Sequence, residues 1–429
     1  MASRVVITGL GVISPNATGT KAFEAAIREG RSGIRFVEEL NRLNFKCQVG
    51  GIPRLDTVQV QDFLRTSGLQ VIDSTGVLYG CIAAAEAWAD AGLMPSVPDP
   101  AAPRDESSGC IFGTGSSGID VTRKTIQYVD NREPGRIDAY TAIQSLNSCV
   151  STYIGKVLRL GNQVSTNSSA CNTGTEALLD GYTRIRMGKA ERMLVGSCES
   201  YSPYAWGPFD SLFALTRSGN ATPQQASRPL SAYADGFVPS SGAGALVIET
   251  LESARQRGAL IYAELLGGHI NAGGQRGNGT MTIGNVAGMV RCIEQALKSC
   301  GIKPGDIDLI SGHLSSTIGD TNEMQAWQQA LGLSRRAFPF VNAMKSMIGH
   351  CLSASGSIES VAAVLQLHQG FVHPSLNVRK VHPDIAKIVS RDKIPRQTLE
   401  ADLNVVAKIS LGFGDVNACV LFKKWQNKE

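Results

Sequence analysis

One cysteine of this chain occupies a position where a side chain could do covalent chemistry. Cys171 ends the small-residue stretch 168–171 (Ser-Ser-Ala-Cys), between residues 164–165, predicted as extended, and a helix predicted to continue to Met187. The start of a helix is the positive end of its dipole, which favours thiolate over thiol. The sequence therefore predicts a nucleophilic sulfur at Cys171. The alternative is a small buried cysteine, the role expected for most of the other nine.

Two histidines follow predicted strands and precede predicted helices. His313 comes after a strand predicted at 306–311, and His350 after one predicted at 338–341. Open α/β sheets place ligands at such strand ends. The alternative for each is a hydrogen-bonded loop imidazole, which is the role expected for His269, His368, His373 and His382.

Three further polar patterns lie close to these residues. Thr173-x-x-Glu176 and Asp320-x-x-Glu323 both read as capping boxes that open helices. Glu323 could thus be only a capping residue, and Lys345 only a solvated loop cation. The sequence alone leaves these alternatives open.

A glycine-rich stretch at 113–118 formally matches the dinucleotide-binding pattern G-x-G-x-x-G after a predicted strand. The pattern requires a βαβ unit, and the charged, proline-containing segment 130–135 argues against one. We therefore expect a turn packed tightly against neighbouring backbone.

Composition excludes several classes of protein. The 429 residues are 43% hydrophobic and 18% charged, with a net charge of +4, so the chain can bury a large core and offers no strongly basic surface. Neither nucleic acid nor a membrane is an expected partner. The ten cysteines show no CxxC or CxxH pairing, which argues against zinc and against a disulfide framework. Neither a signal peptide nor an apolar run of about 18 residues is recognisable, so we expect a cytoplasmic protein.

Strands alternate with helices in two successive series, which predicts a layered α/β fold with a doubled core. The first half is predicted at 1–257 and the second at 258–429. Two irregular segments are expected, a surface loop at 95–108 and a long glycine-rich loop at 267–288.

The pieces together resemble the β-ketoacyl-[acyl-carrier-protein] synthases, most closely the elongating synthase II type and the ketosynthases of dissociated polyketide systems. Cys171, His313 in the stretch 312–317 (GHLSST) and His350 in the stretch 345–350 (KSMIGH) look like that family's Cys-His-His set. Three other stretches support the resemblance: 5–14, 227–248 and 410–417.

The resemblance implies the thiolase fold, in which two similar βα halves stack as five alternating αβαβα layers and the active form is a dimer. It also implies a decarboxylative Claisen condensation, with the acyl and malonyl chains both delivered by acyl carrier protein. No metal or redox cofactor is implied, because decarboxylation drives the condensation.

Roles for individual residues follow from the resemblance as well. Cys171 would hold the acyl chain, and His313 and His350 would donate hydrogen bonds to the enolate. The N–H groups of Cys171 and Phe413 would form an oxyanion hole, with Phe413 also acting as a gate. Lys345 and Glu323 would support the site. Ser116 matches a position that closes the acyl pocket of some members when it is bulky, so its small side chain predicts room for a longer or stiffer chain.

The chain departs from the family at several motifs. Ser240-Ser241 replaces the acidic residue of GEGAG, the loop 313–320 is one residue shorter and lacks proline, and Asp415 stands in GFGDVN where the family has GFGGTN. In the family a basic cluster at this place meets the acidic carrier protein, but the segment 64–70 keeps only one cation. Either the carrier docks on other cations, namely Arg123, Lys124 and Arg132, or the carrier itself is unusual. These departures favour specialised polyketide or polyene synthesis over fatty-acid synthesis.

Two alternatives remain beside an active synthase. One is a non-catalytic chain-length partner subunit, although such partners typically lack the nucleophile. The other is a thiolase-like acyltransferase that uses coenzyme A and a second cysteine, for which Cys419 is the candidate. The dimer itself could be a homodimer or a heterodimer with a ketosynthase-like subunit.

Overall fold

Strands and helices alternate along the computed structural model, which describes residues 3–69, 71–93, 103–277 and 279–426. The elements of the first half are β1 (Val5–Ser14), β2 (Ala17–Thr18), α1 (Thr20–Glu29), β3 (Ile34–Phe36), α2 (Glu38–Arg42), β4 (Val49–Gly51), α3 (Thr57–Ser67), α4 (Thr75–Asp90), β5 (Ser108–Thr114), α5 (Ile119–Asp130), α6 (Ala139–Gln144), α7 (Cys149–Leu158), β6 (Val164–Ser165), α8 (Thr173–Arg186), β7 (Arg192–Glu199), α9 (Pro203–Ser211), β8 (Gly242–Thr250) and α10 (Leu251–Gln256).

The second half repeats this alternation with fewer elements. They are β9 (Ala263–Ala272), α11 (Val286–Cys300), β10 (Leu309–Ser311), α12 (Gly319–Leu331), β11 (Phe340–Asn342), α13 (Lys345–Ile348), α14 (Ser355–Gln369), β12 (Phe371–Val372), α15 (Pro383–Ile388), β13 (Leu399–Glu400), β14 (Val405–Gly412) and β15 (Val416–Lys424). The division predicted at residues 257 and 258 falls in the segment between α10 and β9.

The two halves share one strand topology. The order in the first half is β1-β8-β7-β5-β6 and in the second half β9-β15-β14-β10-β11. In each half the first two pairings are antiparallel and the last two are parallel. A short antiparallel pairing of Val5–Ile7 with 263–265 joins the halves.

Helices lie in three layers around these strands. In the first half α4 and α7 pack on the outer face, and in the second half α11 and α12 do so. Between the halves, α8 and α14 contact strands of both. The central position of α14 explains its sequence, because all thirteen residues from Ser355 to Leu367 are buried. The result is the predicted α/β fold with five αβαβα layers.

Several local predictions need correction. The glycine-rich stretch at 267–288 is only partly a loop, because β9 extends to Ala272 and α11 begins at Val286. A helix does follow the glycines at 113–118, since α5 begins at Ile119, and β6 pairs in parallel with β5. The expectation that no βαβ unit forms there was therefore wrong.

The glycines themselves are nevertheless packed as predicted. A Cβ on Gly118 would lie 2.5 Å from the carbonyl oxygen of Gln144, and one on Gly113 would lie 2.2 Å from a methyl carbon of Thr173. This close packing leaves no room for a dinucleotide. Most of the surface loop predicted at 95–108 lies outside the described residues. Within the described ranges, no helix combines the length and apolar character needed to span a bilayer.

Candidate active site

A cavity of about 420 Å³ lies where the ends of several strands meet. Its wall includes Cys171 from the first half of the chain and His313, His350, Glu323 and Phe413 from the second half. Residues separated by more than 240 positions are thus brought to one cavity, because α8 and α14 pack together in the layer between the two halves. The site contains a sulfur, two imidazoles and aromatic side chains.

Cys171 lies at the corner between β6 and α8. Asn172 is the first flanking residue of α8, and Ala170 has a φ of 51°, so the chain turns sharply before the sulfur. The capping box predicted at 173–176 does not form. Instead, the Thr173 hydroxyl donates to the carbonyl oxygen of Ala170, and Glu176 accepts a hydrogen bond from the side chain of Asn172. These bonds hold the corner rather than the helix end.

The predicted thiolate character of Cys171 also needs correction. Cys171 is only 7% exposed, and burial raises the pKa of its thiol to about 12, although the positive charge of Lys345 acts in the opposite direction. Burial in a low-dielectric site outweighs the attraction of nearby positive charge. The resting group is therefore a thiol, and its proton has to leave as the sulfur attacks.

His313 is held by its backbone as well as by its position after β10. The backbone N–H of His313 donates to Oε1 of Glu323 at 2.8 Å, and the backbone N–H of Leu314 donates to Oε2 of Glu323 at 2.7 Å. Asp320 accepts from the N–H of Ser315 at 2.7 Å. The capping box predicted at 320–323 is therefore absent, because both carboxylates bind the loop before α12 instead. Burial raises the pKa of Glu323 to about 7 and that of Asp320 to about 6.

Hydrogen bonds fix the tautomer of His350. Its Nδ1 accepts from the N–H of Leu352 at 3.1 Å and lies 2.8 Å from the hydroxyl of Ser355. Because a backbone N–H can only donate, Nδ1 is unprotonated, and the proton of the neutral ring is on Nε2. The neutral His350 ring therefore offers Nε2–H as its hydrogen-bond donor.

The two imidazoles lie edge to face, with ring centroids 5.2 Å apart and an interplanar angle of 82°. Burial lowers the pKa of both rings well below 6.5, and the positive charges of Lys345 and Lys408 lower it further. Both rings are therefore neutral near pH 7. Neutral rings offer N–H hydrogen bonds without a formal charge.

Behind the imidazoles lies a lysine–glutamate cluster, formed by Lys345, Glu359 and Lys408. Lys345 is only 1% exposed, forms an ion pair with Glu359, and donates to the carbonyl oxygen of His313 at 2.6 Å. It is therefore not a solvated loop cation. Nζ of Lys408 lies 2.7 Å from Oε2 of Glu359.

Glu359 and Lys408 were missed in the sequence. The available signal was a charged residue inside an apolar element, since Glu359 lies in the buried helix α14 and Lys408 in the buried strand β14. Charged side chains are almost never fully buried without a partner. A glutamate and a lysine inside two such buried elements therefore indicate an ion pair between them.

Phe413 lies in the loop between β14 and β15, beside Asp415. Its ring contacts that of Phe209 edge to face at 5.7 Å, and Phe209 contacts Phe237 at 5.6 Å. Phe237 in turn contacts His350 at 5.1 Å. A continuous series of aromatic contacts thus connects the position predicted as a gate with the imidazole pair.

Ser116 does not line this cavity. Its N–H and hydroxyl both lie against Oε1 of the buried Glu199, at 3.1 and 3.2 Å. The predicted effect of Ser116 on chain length remains a prediction. Cys419 is also outside the cavity, because it is fully buried in β15 with its backbone paired to Ile409 and His269.

This architecture, with a cysteine and two histidines in one cavity, is that of a condensing enzyme with the thiolase fold. The beta-ketoacyl synthase N-terminal domain model matches residues 2–254, and the beta-ketoacyl synthase C-terminal domain model matches residues 262–379. The chain belongs to the beta-ketoacyl synthase family.

Relatives with known names cover nearly all of the chain. The 3-oxoacyl-[acyl-carrier-protein] synthase 1 of Escherichia coli strain K12 is 31% identical over 429 residues, which is 98% of this chain and 99% of that protein. The chloroplastic synthase I of Arabidopsis thaliana is 31% identical over 99% of this chain and 87% of its own length. These relatives are acyltransferase-type condensing enzymes, and so is this chain.

Solved structures share the fold. A type II polyketide synthase ketosynthase, in complex with its acyl-carrier protein and bound to the hexaketide, aligns with a TM-score of 0.87 at 30% identity over 99% of this chain and 100% of that chain. The ishigamide ketosynthase/chain length factor aligns with a TM-score of 0.85 at 28% identity, with the same two coverages.

Proposed function

We propose that Cys171, His313 and His350 carry out a decarboxylative Claisen condensation, which joins a Cys171-bound acyl chain to malonyl-acyl-carrier protein and gives β-ketoacyl-acyl-carrier protein. The observation that carries this proposal is the shared cavity, where the sulfur and the two neutral imidazoles meet.

In the first step the Cys171 sulfur attacks the acyl thioester. A C–S bond to Cys171 forms, the C–S bond to the carrier breaks, and the proton of the Cys171 thiol ends on the departing carrier sulfur. The tetrahedral oxyanion needs fixed donors, and we propose the backbone N–H groups of Cys171 and Phe413, whose residues both line the cavity. Two such N–H groups can form an oxyanion hole.

In the second step malonyl-carrier protein loses CO2. The electron pair of the broken C–C bond becomes an enolate, whose oxygen accepts hydrogen bonds from His350 Nε2–H and from His313. The enolate carbon then attacks the Cys171 thioester, a new C–C bond forms, and the Cys171 thiolate leaves and takes up a proton. A single fixed donor to such an oxyanion contributes on the order of 100-fold in rate.

We propose an acyl carrier protein as the partner that delivers both chains. On the surface near α3 and α5, two cations are already paired, Arg65 with Asp62 at 3.0 Å and Lys124 with Asp73 at 2.8 Å. Arg123 lies over the ring of Tyr204 and forms no such ion pair with the residues that the structure describes. Arg123 and the exposed Arg132 are thus the cations of the predicted set left to meet an acidic carrier.

We propose specialised polyketide or polyene synthesis rather than housekeeping fatty-acid synthesis as the pathway class. The altered motifs at 240–241, 313–320 and 415 support this choice. The test offers saturated and conjugated polyene acyl chains on the same carrier in competition. Faster extension of the polyene chain supports the proposal, and preference for the saturated chain would reject it.

Both alternatives are disfavoured by particular residues. A thiolase-like use of coenzyme A needs a second reactive cysteine in the site, whereas Cys419 is buried in β15 away from the cavity. A non-catalytic chain-length subunit has no need of a nucleophile, whereas Cys171 lines the cavity. The proposed condensing activity is compatible with a homodimer and with a heterodimer that includes a ketosynthase-like subunit. Size-exclusion chromatography with light scattering on the chain alone distinguishes the two.

The decisive experiment follows the acyl chain. The protein is incubated with acyl-carrier protein and digested, and the peptide containing Cys171 is analysed by mass spectrometry. Malonyl-carrier protein is then added, and CO2 and the β-ketoacyl product are measured. We expect an acyl mass on the Cys171 peptide that disappears as product forms.

Two variants control this experiment. Cys171→Ser should lower product formation on the order of 1,000-fold or more. Cys300→Ser, at the one cysteine that the structure describes as partly exposed, should leave it unchanged. An acyl mass on any cysteine other than Cys171, or product formation by the Cys171 variant at the wild-type rate, would reject the proposed roles.

A further inference from the structure

The lysine–glutamate cluster contains one more cation than an ion pair needs. Glu359 is fully buried, with Lys345 at Oε1 and Lys408 at Oε2. The three side chains of the cluster therefore carry two positive charges and one negative charge, and all three are at most 1% exposed. The charge of Glu323 also acts on Lys408, but burial raises the pKa of Glu323 to about 7, so near neutral pH this carboxyl offsets the second cation only in part. Burying an uncompensated charge is costly, so a retained excess cation needs a counter-charge nearby.

Lys408 lies in β14, which belongs to the sheet of the second half. Its Nζ also donates to the carbonyl oxygen of Ile409 at 2.6 Å and to the hydroxyl of Ser410 at 2.8 Å. The hydroxyl of Ser410 lies 2.8 Å from that of Thr175, in the first turn of α8, the helix that begins beside Cys171. Through Lys345 the same cluster reaches the backbone of His313. The cluster thus connects the nucleophile's helix with the imidazole pair.

Every reacting species in the proposed condensation carries one negative charge. The malonyl carboxylate, the enolate, the tetrahedral oxyanion and the departing Cys171 thiolate follow one another without a change in total charge. The cavity is also lined by aromatic rings, which cannot replace the hydration of an anion. One fixed positive charge behind the imidazoles would offset this single negative charge at each step.

We propose that Lys408 is a positioning residue for the condensation, because its charge gives the lysine–glutamate cluster the excess cation that offsets the negative charge of the reacting species. The proposal rests on the proposed function. Lys408 does not line the cavity, so it acts through Glu359, Lys345 and the imidazoles rather than by touching the substrate.

The charge of Lys408 has a second effect on the imidazoles. It contributes, after burial and Lys345, to lowering the pKa of His313 and His350. The titratable and charged groups that face Lys408 from the surrounding elements are Glu359, Lys345, Glu323, His313, His350 and Cys419. Removing the Lys408 charge should therefore raise the pKa of both imidazoles, so that they become cationic at a higher pH and the acid limb of the activity profile moves upward.

The test compares Lys408→Gln, which keeps a neutral N–H donor, with Lys408→Met and with Lys423→Met as an exposed control on β15. Acylation of Cys171 and condensation with malonyl-carrier protein are measured separately as functions of pH. For both neutral variants we expect kcat/KM for malonyl-carrier protein to fall on the order of 10-fold, with the acid limb about one pH unit higher. The control variant should change little in either reaction.

The outcomes separate this inference from the function on which it rests. A wild-type protein without condensation activity would reject the proposed function itself. With an active wild type, an unchanged acid limb in folded Lys408→Gln would overturn the role of Lys408. A loss of activity that is the same at every pH would also overturn it, since it indicates a merely structural contribution. If Lys408→Met does not fold, judged by circular dichroism, Lys408→Gln alone decides.

Discussion

Cys171, His313 and His350 could be found in the sequence because each lies where a strand ends and a helix follows, and because each family motif keeps its catalytic residue even where the rest of the motif is altered. The protonation of Cys171 could not be predicted in the same way. The position at a helix start suggested a thiolate, but the surrounding residues remove water from the sulfur, and burial raises its pKa to about 12. The burial of the Cys171 sulfur depends on residues that are distant in the sequence, so a local sequence pattern does not predict it.

This high pKa has a direct consequence for the chemistry of Cys171. Below its pKa the thiolate fraction rises about tenfold for each pH unit, so the rate of alkylation by iodoacetamide should rise in the same way from about pH 7 to about pH 10. Mass spectrometry of the Cys171 peptide measures this rate, and Cys171→Ser reports the background from other cysteines. A rate that levels off near pH 7 would contradict the buried thiol described above.

At the scale of elements, the alternation of strands and helices was predicted well, whereas the ends of elements were not. Both predicted capping boxes failed for one reason, namely that the carboxylates found other donors. Glu323 binds the N–H groups of His313 and Leu314, which come from a loop ten residues earlier. A local four-residue pattern cannot show that such a loop folds back onto the helix start.

Asp415 illustrates the same point in the loop beside Phe413. Its carboxylate accepts from the N–H of Gln275 and from that of Asn285, each at 2.8 Å, and its carbonyl oxygen accepts from Gly273. Asp415 therefore fastens the segment 273–285 to the loop of Phe413, and residues 282–284 of that segment line the cavity.

Replacing Asp415 by glycine should release this fastening, because two N–H groups lose their acceptor while the positive φ of 61° remains allowed. We expect trypsin to cleave after Arg276 on the order of 30-fold faster than in the wild type, because the two lost hydrogen bonds together cost about 2 kcal/mol. Condensation should slow as well. Asn44→Gly, at an exposed position with a φ of 56°, is the control. Unchanged cleavage after Arg276 in Asp415→Gly would show that the segment is held by other contacts.

At the scale of the whole molecule, the repeated strand order of the two halves was implied by the alternation in the sequence and by the family resemblance. The polar contacts inside the sheets were not predicted. Glu249 of β8 accepts hydrogen bonds from Thr8 of β1 and from Arg257 after α10, and it forms an ion pair with Arg192 of β7 at 3.4 Å. One carboxylate thus joins three neighbouring strands of the first half.

The stability of the protein in acid should depend on Glu249. Burial alone would raise the pKa of this carboxyl, but the hydrogen bonds from Arg257 and Thr8 and the charge of Arg192 lower it below 4.5 in the folded protein. A lowered pKa stabilises the fold above pH 4.5, and this contribution is lost as the pH falls through the folded-state value.

Glu249→Gln should therefore reduce the free energy of unfolding by about 3 kcal/mol at neutral pH, because two arginines lose a buried partner. The difference from the wild type should shrink below pH 4.5. Urea denaturation at a series of pH values measures it, with Glu400→Gln, which forms an exposed ion pair with Arg28, as the control. A difference that stays constant down to the lowest pH would show that the Glu249 charge is not its cause.

The central claim is that the imidazole pair stabilises an enolate beside an acyl-cysteine. The most direct measurement is single-turnover CO2 release from malonyl-carrier protein by enzyme already acylated on Cys171, compared among the wild type, His313→Ala and His350→Ala. We predict full acylation in all three proteins and CO2 release slowed on the order of 100-fold in each variant. CO2 release at the wild-type rate from an acylated histidine variant would contradict the claim.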